Sequence, residues 1–224
     1  MFKFKGITST SMQVIIEEEE HFIARAPLRY EVTEIEGKDG AIFDELGYSY
    51  IERPILVQCL NVNKIDDILV WLTGEGELEY KNRKTIARFY STLEPKRQAC
   101  IRTIDTTFTR NPFWYKVNDE YSVISNSVTN EGNITSRPII KLEKGTTPSS
   151  EITIGGVRFK YTFDTNDTYV EIDCEEKIAT FNELNRDRKL EIGYDFPKLQ
   201  VGSNMVIVHN GDAIIKIKRK DRWL

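Results

Sequence analysis

Apolar residues recur at every second position along much of this 224-residue chain, and that period constrains its fold more than any other feature. Phe2 and Phe4 alternate with Lys3 and Lys5. Phe159, Tyr161 and Phe163 alternate with Arg158, Lys160 and Thr162, and Val170, Ile172 and Cys174 with Glu171 and Asp173. Ile215 and Ile217 alternate with Lys216 and Lys218. Successive side chains on a strand point to opposite faces, so each run has one face for a core and one for water. Around Ile55, Val57 and Cys59 the intervening Leu56 and Leu60 are apolar too, which predicts a strand covered on both sides. Turn residues punctuate the runs. Asp39-Gly40 follows Tyr30–Glu36, as a hairpin turn does, and Gly155-Gly156 and Asn210-Gly211-Asp212 lie between apolar runs in the same way. Many short strands with frequent turns suggest sandwiches or barrels.

One segment has a different period. Ile65, Ile68, Leu69 and Leu72 fall at i, i+3, i+4 and i+7, which predicts a helix over about 63–74. Asn63 is placed to cap its start, Asp66 and Asp67 put negative charge near the positive end of its dipole, and Gly74 suits its end. A polar, turn-rich stretch over 125–150 follows and suggests a boundary near residue 128. It divides an α+β domain, 1–128, from an all-β domain, 129–224.

Composition excludes several kinds of function. Thirty-one Lys and Arg against thirty-five Asp and Glu give a net charge of −4, which argues against a broad electrostatic grip on nucleic acid or anionic lipid. No apolar run approaches the ~18 residues of a membrane span, and the first residues lack the pattern of a secretory signal, so the expected site of synthesis is the cytoplasm. Cys59, Cys100 and Cys174 are far apart and form no C-x-x-C, so neither a zinc site nor a disulfide framework is expected. Cys59 and Cys174 read as small core hydrophobes.

The reactive inventory is correspondingly thin. His21 and His209 have no ligand partner at metal spacing, and the run Glu17–Glu20 does not aim its carboxylates at one point. There is no G-x-S-x-G turn, no phosphate loop and no dinucleotide fingerprint. No catalytic residue, cofactor or metal is expected. The basic cluster Lys216, Lys218, Arg219, Lys220 and Arg222 reads as the wet face of a terminal strand, with a docking patch as the other reading. The dense aromatic cluster Asn111, Pro112, Phe113, Trp114 and Tyr115 reads as packing in preference to a sugar platform.

Several blocks together resemble one family. Phe2-Lys-Phe-Lys-Gly6-Ile7 with Ser11-Met12 is similar to the F-x-F-x-G-I…S…M start of phage distal tail proteins. Ala24-Arg25 and Pro27 follow, then Ile35-Glu-Gly37-Lys38-Asp39-Gly40, which resembles the family's I-x-G-R-D-G hairpin with Lys38 in place of Arg. Leu69–Leu78 is similar to its helix, small-residue turn and strand, and Asn111–Trp114 also fits. Asn130-Glu-Gly132-Asn133-Ile-Thr-Ser136-Arg-Pro138 resembles N-x-G-N-x-x-S-x-P, which opens the family's C-terminal domain. Phe196-Pro-Lys-Leu199-Gln-Val-Gly202-Ser-Asn204 resembles F-P-x-L-x-P-G-x-N, with Val201 where Pro is usual.

The resemblance implies a mainly β protein: an N-terminal β-sandwich-like domain with one helix, then a C-terminal galectin-like jelly-roll β-sandwich. It implies no enzyme but a structural hub in a virion or prophage tail tip, a hexameric ring of siphovirus-type tails. The implied partners are copies of itself, the tail tube protein, the tail-associated protein and receptor-binding or baseplate components. Whether two rings stack stays open. Within that reading Lys38–Tyr50 is expected to be an arm reaching an adjacent subunit, because Ile42, Phe43, Leu46, Tyr48 and Tyr50 lie on a segment of weak periodicity. The alternative is a carbohydrate-binding β-sandwich module recognising cell-wall glycan.

Overall fold

The alternating runs become strands in a computed structural model that describes residues 1–17, 19–98, 101–193 and 195–224. Glu18 and Cys100 therefore lie outside the described residues. The chain divides into two compact units, Met1–Val117 with Leu224, and Asn118–Trp223. The position near 128 expected as a boundary falls within a strand of the second unit, where Val128 is buried.

The first unit contains β1 (Phe2–Phe4), β2 (Ile7–Thr8), β3 (Val14–Ile16), β4 (Leu28–Glu34), β5 (Ala41–Tyr48) and β6 (Ile51–Cys59). After these come α1 (Ile65–Trp71), β7 (Gly74–Tyr80), β8 (Arg83–Phe89), β9 (Glu94–Gln98), β10 (Ile101–Arg110) and β11 (Trp114–Lys116). Its main sheet runs β2-β1-β7-β8-β10-β6-β3, with β9 on β10 and β11 on β8. Strand β10 pairs with β6 from Arg102↔Cys59 to Arg110↔Ile51.

The core of this unit is aromatic. Phe2 stacks on Trp71 at 5.6 Å, Phe4 meets Phe89 edge-on at 5.0 Å, and Phe22 meets Phe108 at 5.2 Å. Trp71 donates its indole N–H to the Phe4 carbonyl at 2.9 Å, so the helix is hydrogen-bonded as well as packed onto β1. Large rings contribute much of the buried area in a unit this size.

The helix is shorter than its pattern. A 3₁₀ turn, Val62–Lys64, precedes it, and α1 begins at Ile65. Asn63 is not its cap. Asn61 caps the 3₁₀ turn by accepting from the Asn63 amide, and α1 has no side-chain cap. Ile68 and Leu72 are fully buried as the spacing requires, and Gly74 takes φ +85° where the chain turns into β7. Strand β6 also differs from expectation. Ile55, Val57 and Cys59 are buried, but Leu56 and Gln58 are half-buried and Leu60 is exposed, so only one face is covered. An apolar sequence on both faces does not itself supply a second layer.

The second unit contains β12 (Ser122–Val123), β13 (Ser127–Asn130), β14 (Ile139–Glu143), β15 (Ser149–Ile154), β16 (Val157–Thr162) and β17 (Tyr169–Asp173). It continues with β18 (Ile178–Phe181), β19 (Leu184–Asn185), β20 (Leu190–Ile192), β21 (Gly202–Asn210) and β22 (Ile214–Lys218). One sheet runs β12-β22-β14-β17-β18-β19 and the other β13-β21-β15-β16-β20. Ile140, Leu142, Val170, Ile172, Ile215 and Ile217 from the first share one core with Val128, Ile152, Ile154, Phe159, Tyr161 and Val206 from the second. This is a β-sandwich, its inward faces formed by the period-two residues.

The Asn210-Gly211-Asp212 turn is not a hairpin, because β21 and β22 belong to different sheets. Asp212 holds the corner. It accepts from the Thr146 and Thr147 amides at 2.8 and 3.0 Å and from their hydroxyls at 2.6 and 2.5 Å. Those hydroxyl and amide bonds hold its carboxyl well below the usual range.

The motif residues of the second unit meet in one place. Asn130 is buried, donates to the Ile134 and Leu199 carbonyls at 2.9 Å each, and accepts from the Gly132 amide at 2.8 Å. Ser136 and Leu199 exchange two backbone hydrogen bonds of 2.9 Å. Asn204 accepts from the Gln200 amide and donates to the Gln200 and Gly202 carbonyls. A Cβ at Gly132 would lie 2.2 Å from the Arg222 carbonyl oxygen, which explains the glycine. The N-x-G-N and F-P-x-L blocks are thus a structural clasp between segments nearly seventy residues apart in sequence.

Candidate functional site, an exposed hairpin arm

Strands β4 and β5 form a two-stranded sheet of their own. The pairing runs Tyr30↔Glu45, Glu31↔Asp44, Val32↔Phe43, Thr33↔Ile42 and Glu34↔Ala41. Glycines at φ +76° (Gly37) and +87° (Gly40) shape the turn, which the Lys38 amide closes by donating to the Ile35 carbonyl at 3.1 Å. Nearer the base the register shifts. Arg29 faces Gly47 and Tyr30 faces Glu45, so Leu46 has no cross-strand partner and forms a bulge beside Gly47 at φ +92°.

Every residue of β4 is exposed. Cross-strand pairing places Tyr30, Val32 and Phe43 on one face, with the Tyr30 and Phe43 rings 5.6 Å apart, and Thr33 and Ile42 on the other. Tyr30 is 55% exposed and Phe43 62%. A two-stranded hairpin is marginal alone in water, and contiguous exposed apolar residues mark a surface that meets another molecule. Residues 28–48 carry Arg29 and Lys38 against Glu31, Glu34, Glu36, Asp39, Asp44 and Glu45, two positive charges against six negative. That excess of −4 equals the net charge of the whole chain, so the rest of the protein is formally neutral.

The structure sorts the expected arm residues. Ile42, Phe43, Leu46 and Tyr50 are exposed. Tyr48 is half-buried, its ring packed edge-on against Phe113 at 5.6 Å within its own unit. The hairpin that contains Lys38 begins at Leu28, and Tyr30 and Val32 belong to its apolar face. Their alternation with Arg29, Glu31 and Thr33 was readable in the sequence.

Arg110 braces the base of the arm. It is fully buried, and its guanidinium donates to the carbonyls of Phe22 (2.8 Å), Ala24 (2.6 Å), Asn111 (2.8 Å) and Pro112 (3.1 Å) while lying 5.0 Å from the centre of the Trp114 ring. Burial pulls its pKa down to about 10, which leaves it charged at neutral pH. One cation therefore fixes both the segment that enters β4 and the loop that holds Phe113 under Tyr48. The aromatic cluster is packing, as its composition suggested. The buried arginine left no signal in the sequence beyond its even register with Ile104, Thr106 and Phe108.

The remaining candidates have structural roles. Lys216 pairs with Glu143, Arg219 with Glu131, and Lys220 with Asp173, so the basic cluster is tied into its own unit. Tyr161 and Phe163 are buried and pack edge-on at 4.9 Å. The face of Tyr169 is covered by Lys141, whose ammonium lies 3.9 Å from the ring centre. Cys59 and Cys174 are buried, and burial pushes both thiols up. Asp167 is buried, which opposes its charge, but Arg186 at 3.1 Å brings its carboxyl below the usual value. His21 donates to the Pro54 carbonyl at 2.7 Å, and His209 shares a hydrogen bond with Thr153. Among the described residues no group of three His, Cys, Asp or Glu could hold a metal, and no helix is long and apolar enough to cross a membrane.

Comparison with known proteins gives this arrangement a context. Residues 131–223 match the family model described as the C-terminal domain of a siphovirus-type tail component. Among solved structures the chain is similar to the Dit protein of phage SPP1, described as a paradigm of the hub adsorption apparatus in phages infecting Gram-positive hosts. The TM-score is 0.75 at 14% identity, covering 100% of this chain and 98% of that one. It is also similar to a chain of the phage P2 baseplate in its activated, calcium-containing conformation, with a TM-score of 0.39 at 12% identity, covering 94% and 92% of the two chains. No curated protein sequence matches the chain.

Proposed function

We propose that this chain, a phage distal tail protein by its C-terminal family match and its whole-chain fold, is a hub subunit that closes with five further copies into a ring at the tail tip. The hub role follows from the tail-component domain. The ring is carried by the exposed hairpin 28–48, whose apolar face has no cover in its own chain. A closed ring needs two different faces on each subunit, one entering the neighbour and one receiving it. The arm is the entering face. The first unit supplies the ring contacts, and the second, the galectin-like domain of the family, meets peripheral components. The tail tube protein, the tail-associated protein and receptor-binding or baseplate components are the partners on this reading. The work is that of surfaces in the virion, without a reactive centre.

The test is direct. Arg29 and Gly47 face each other across the hairpin, so a short Gly-rich turn can join them in place of residues 30–46. Native mass measurement of the intact protein is expected to give six chains. The shortened protein is expected to keep its circular dichroism spectrum and run as a monomer. An intact protein that stays monomeric at high concentration overturns the ring, and a shortened protein that still forms it overturns the arm's role.

A further inference from the structure

The first unit carries a second exposed apolar surface. The C-terminal turn of α1, Leu69, Val70 and Thr73, faces the stretch after β8, Tyr90, Ser91 and Leu93, across a groove of about 400 Å³ with the buried Phe89 in its lining. Val70 is 76% exposed and Tyr90 71%, which makes them two of the most exposed large apolar side chains among the described residues. The groove is built rather than loose. The Thr73 hydroxyl donates to the Leu69 carbonyl at 2.7 Å, and the Ser91 hydroxyl donates to the Thr107 carbonyl at 2.7 Å, so both walls are tied down.

Leu93 leads directly into β9, where a charge anomaly lies. Arg97 and Arg102 are cross-strand partners in the β9–β10 ladder, and neither has a carboxylate partner among the described residues. Lys96, beside them, is already committed to Asp105 at 2.5 Å. Like charges directly opposite one another on a ladder are destabilising, so this pair gains from an acidic ligand. Meanwhile the arm concentrates the chain's entire negative excess around an apolar face of Tyr30, Val32 and Phe43. Arm and groove are both uncovered in the single chain, so neither occupies the other at home.

We infer that the groove between α1 and the β8–β9 connection receives the hairpin arm of a second copy of this chain, with Arg97 and Arg102 facing the arm's carboxylates. The inference rests on the ring reading and adds the receiving face to it. A seven-residue strand such as β4 extends about 23 Å at ~3.3 Å per residue, and the four steps from Leu93 to Arg97 take about 13 Å, so one arm can engage both the apolar groove and the arginine pair. Apolar contact supplies the bulk of the attraction and the charges set its direction, which excludes arm-to-arm pairing because both arms are acidic.

The experiment pairs Phe43→Cys with Val70→Cys in a Cys100→Ser background. Under oxidising conditions a ladder of linked chains on a non-reducing gel, absent from either single variant, is the expected result. Multimers of native mass that give no ladder overturn the groove and leave the ring standing. A protein that is monomeric without either cysteine overturns the ring, and with it the groove. A second arm avoids cysteine placement. Arg97→Glu with Arg102→Glu is expected to raise the concentration needed for assembly about tenfold or more, and Glu34→Lys with Glu45→Lys in the same chain to reverse most of that loss. Failure of the second pair to rescue overturns the charge pairing.

Discussion

Strand β14, paired antiparallel with β17 and β22, and the antiparallel β4–β5 hairpin both carry alternating residues, yet they meet opposite fates. In β14, Ile140 and Leu142 are fully buried between two sheets. In the hairpin, Val32 and Phe43 sit directly opposite each other, as core residues do, and remain in water. The backbone patterns are equivalent. The difference is the covering layer: β14 has one within its own unit, and the hairpin has none. An apolar face is a core only when something covers it, and in this chain the hairpin face has no cover.

The comparison can be broken most sharply by truncating one residue from each region. Ile140→Ala is expected to cost about 2–5 kcal/mol, as buried large-to-small changes do, seen as a lower urea midpoint. Ile42→Ala is expected to change monomer stability by less than ~0.5 kcal/mol. A large loss at Ile42 in the dilute monomer would show that the arm is internally packed after all.

Asn130→Ala tests the clasp and should come next in size. It leaves the Gly132 amide and the Ile134 and Leu199 carbonyls without their side-chain partner, at a cost of about 1–3 kcal/mol. Because the clasp lies in the second unit, the assembly proposed above for the arm should be unchanged in the folded protein. A loss of assembly without a loss of stability would contradict that separation.

The smallest effect concerns the corner at Asp212. Its folded carboxyl sits below the ordinary value, so its contribution is present above that value, near pH ~3.9, and is lost as pH falls toward the folded pKa. Asp212→Asn should therefore be less stable than the parent at pH 7, with the gap shrinking at pH 3. A gap that stays constant with pH would mean the bonds hold equally well without the charge.

Much of the second unit was legible in advance. Phe159, Tyr161, Val170, Ile172, Cys174, Ile215 and Ile217 are all buried as their alternation required. The helix was legible in kind but not in extent, because Asn61 and not Asn63 accepts the capping hydrogen bond. Three features were not legible. The turn at 210–212 looks like any Asn-Gly hairpin, and only its threonine partners reveal a crossing between sheets. The apolar face of β6 at Leu56 and Leu60 has no second layer over it. Arg110 reads as one more polar strand residue, since nothing local announces that four carbonyls converge on it.

Period, composition and turn residues determined that this chain is mainly β and which side of each strand seeks cover. These are local properties, set by the alternation of the backbone and the charge of neighbouring side chains. Which strands share a sheet, which glycines and asparagines form the clasp, and which apolar face stays bare were decided only by the tertiary structure. The reason is that burial depends on a second surface, and that surface comes from residues far away in the chain; for the hairpin at 28–48 this chain supplies none.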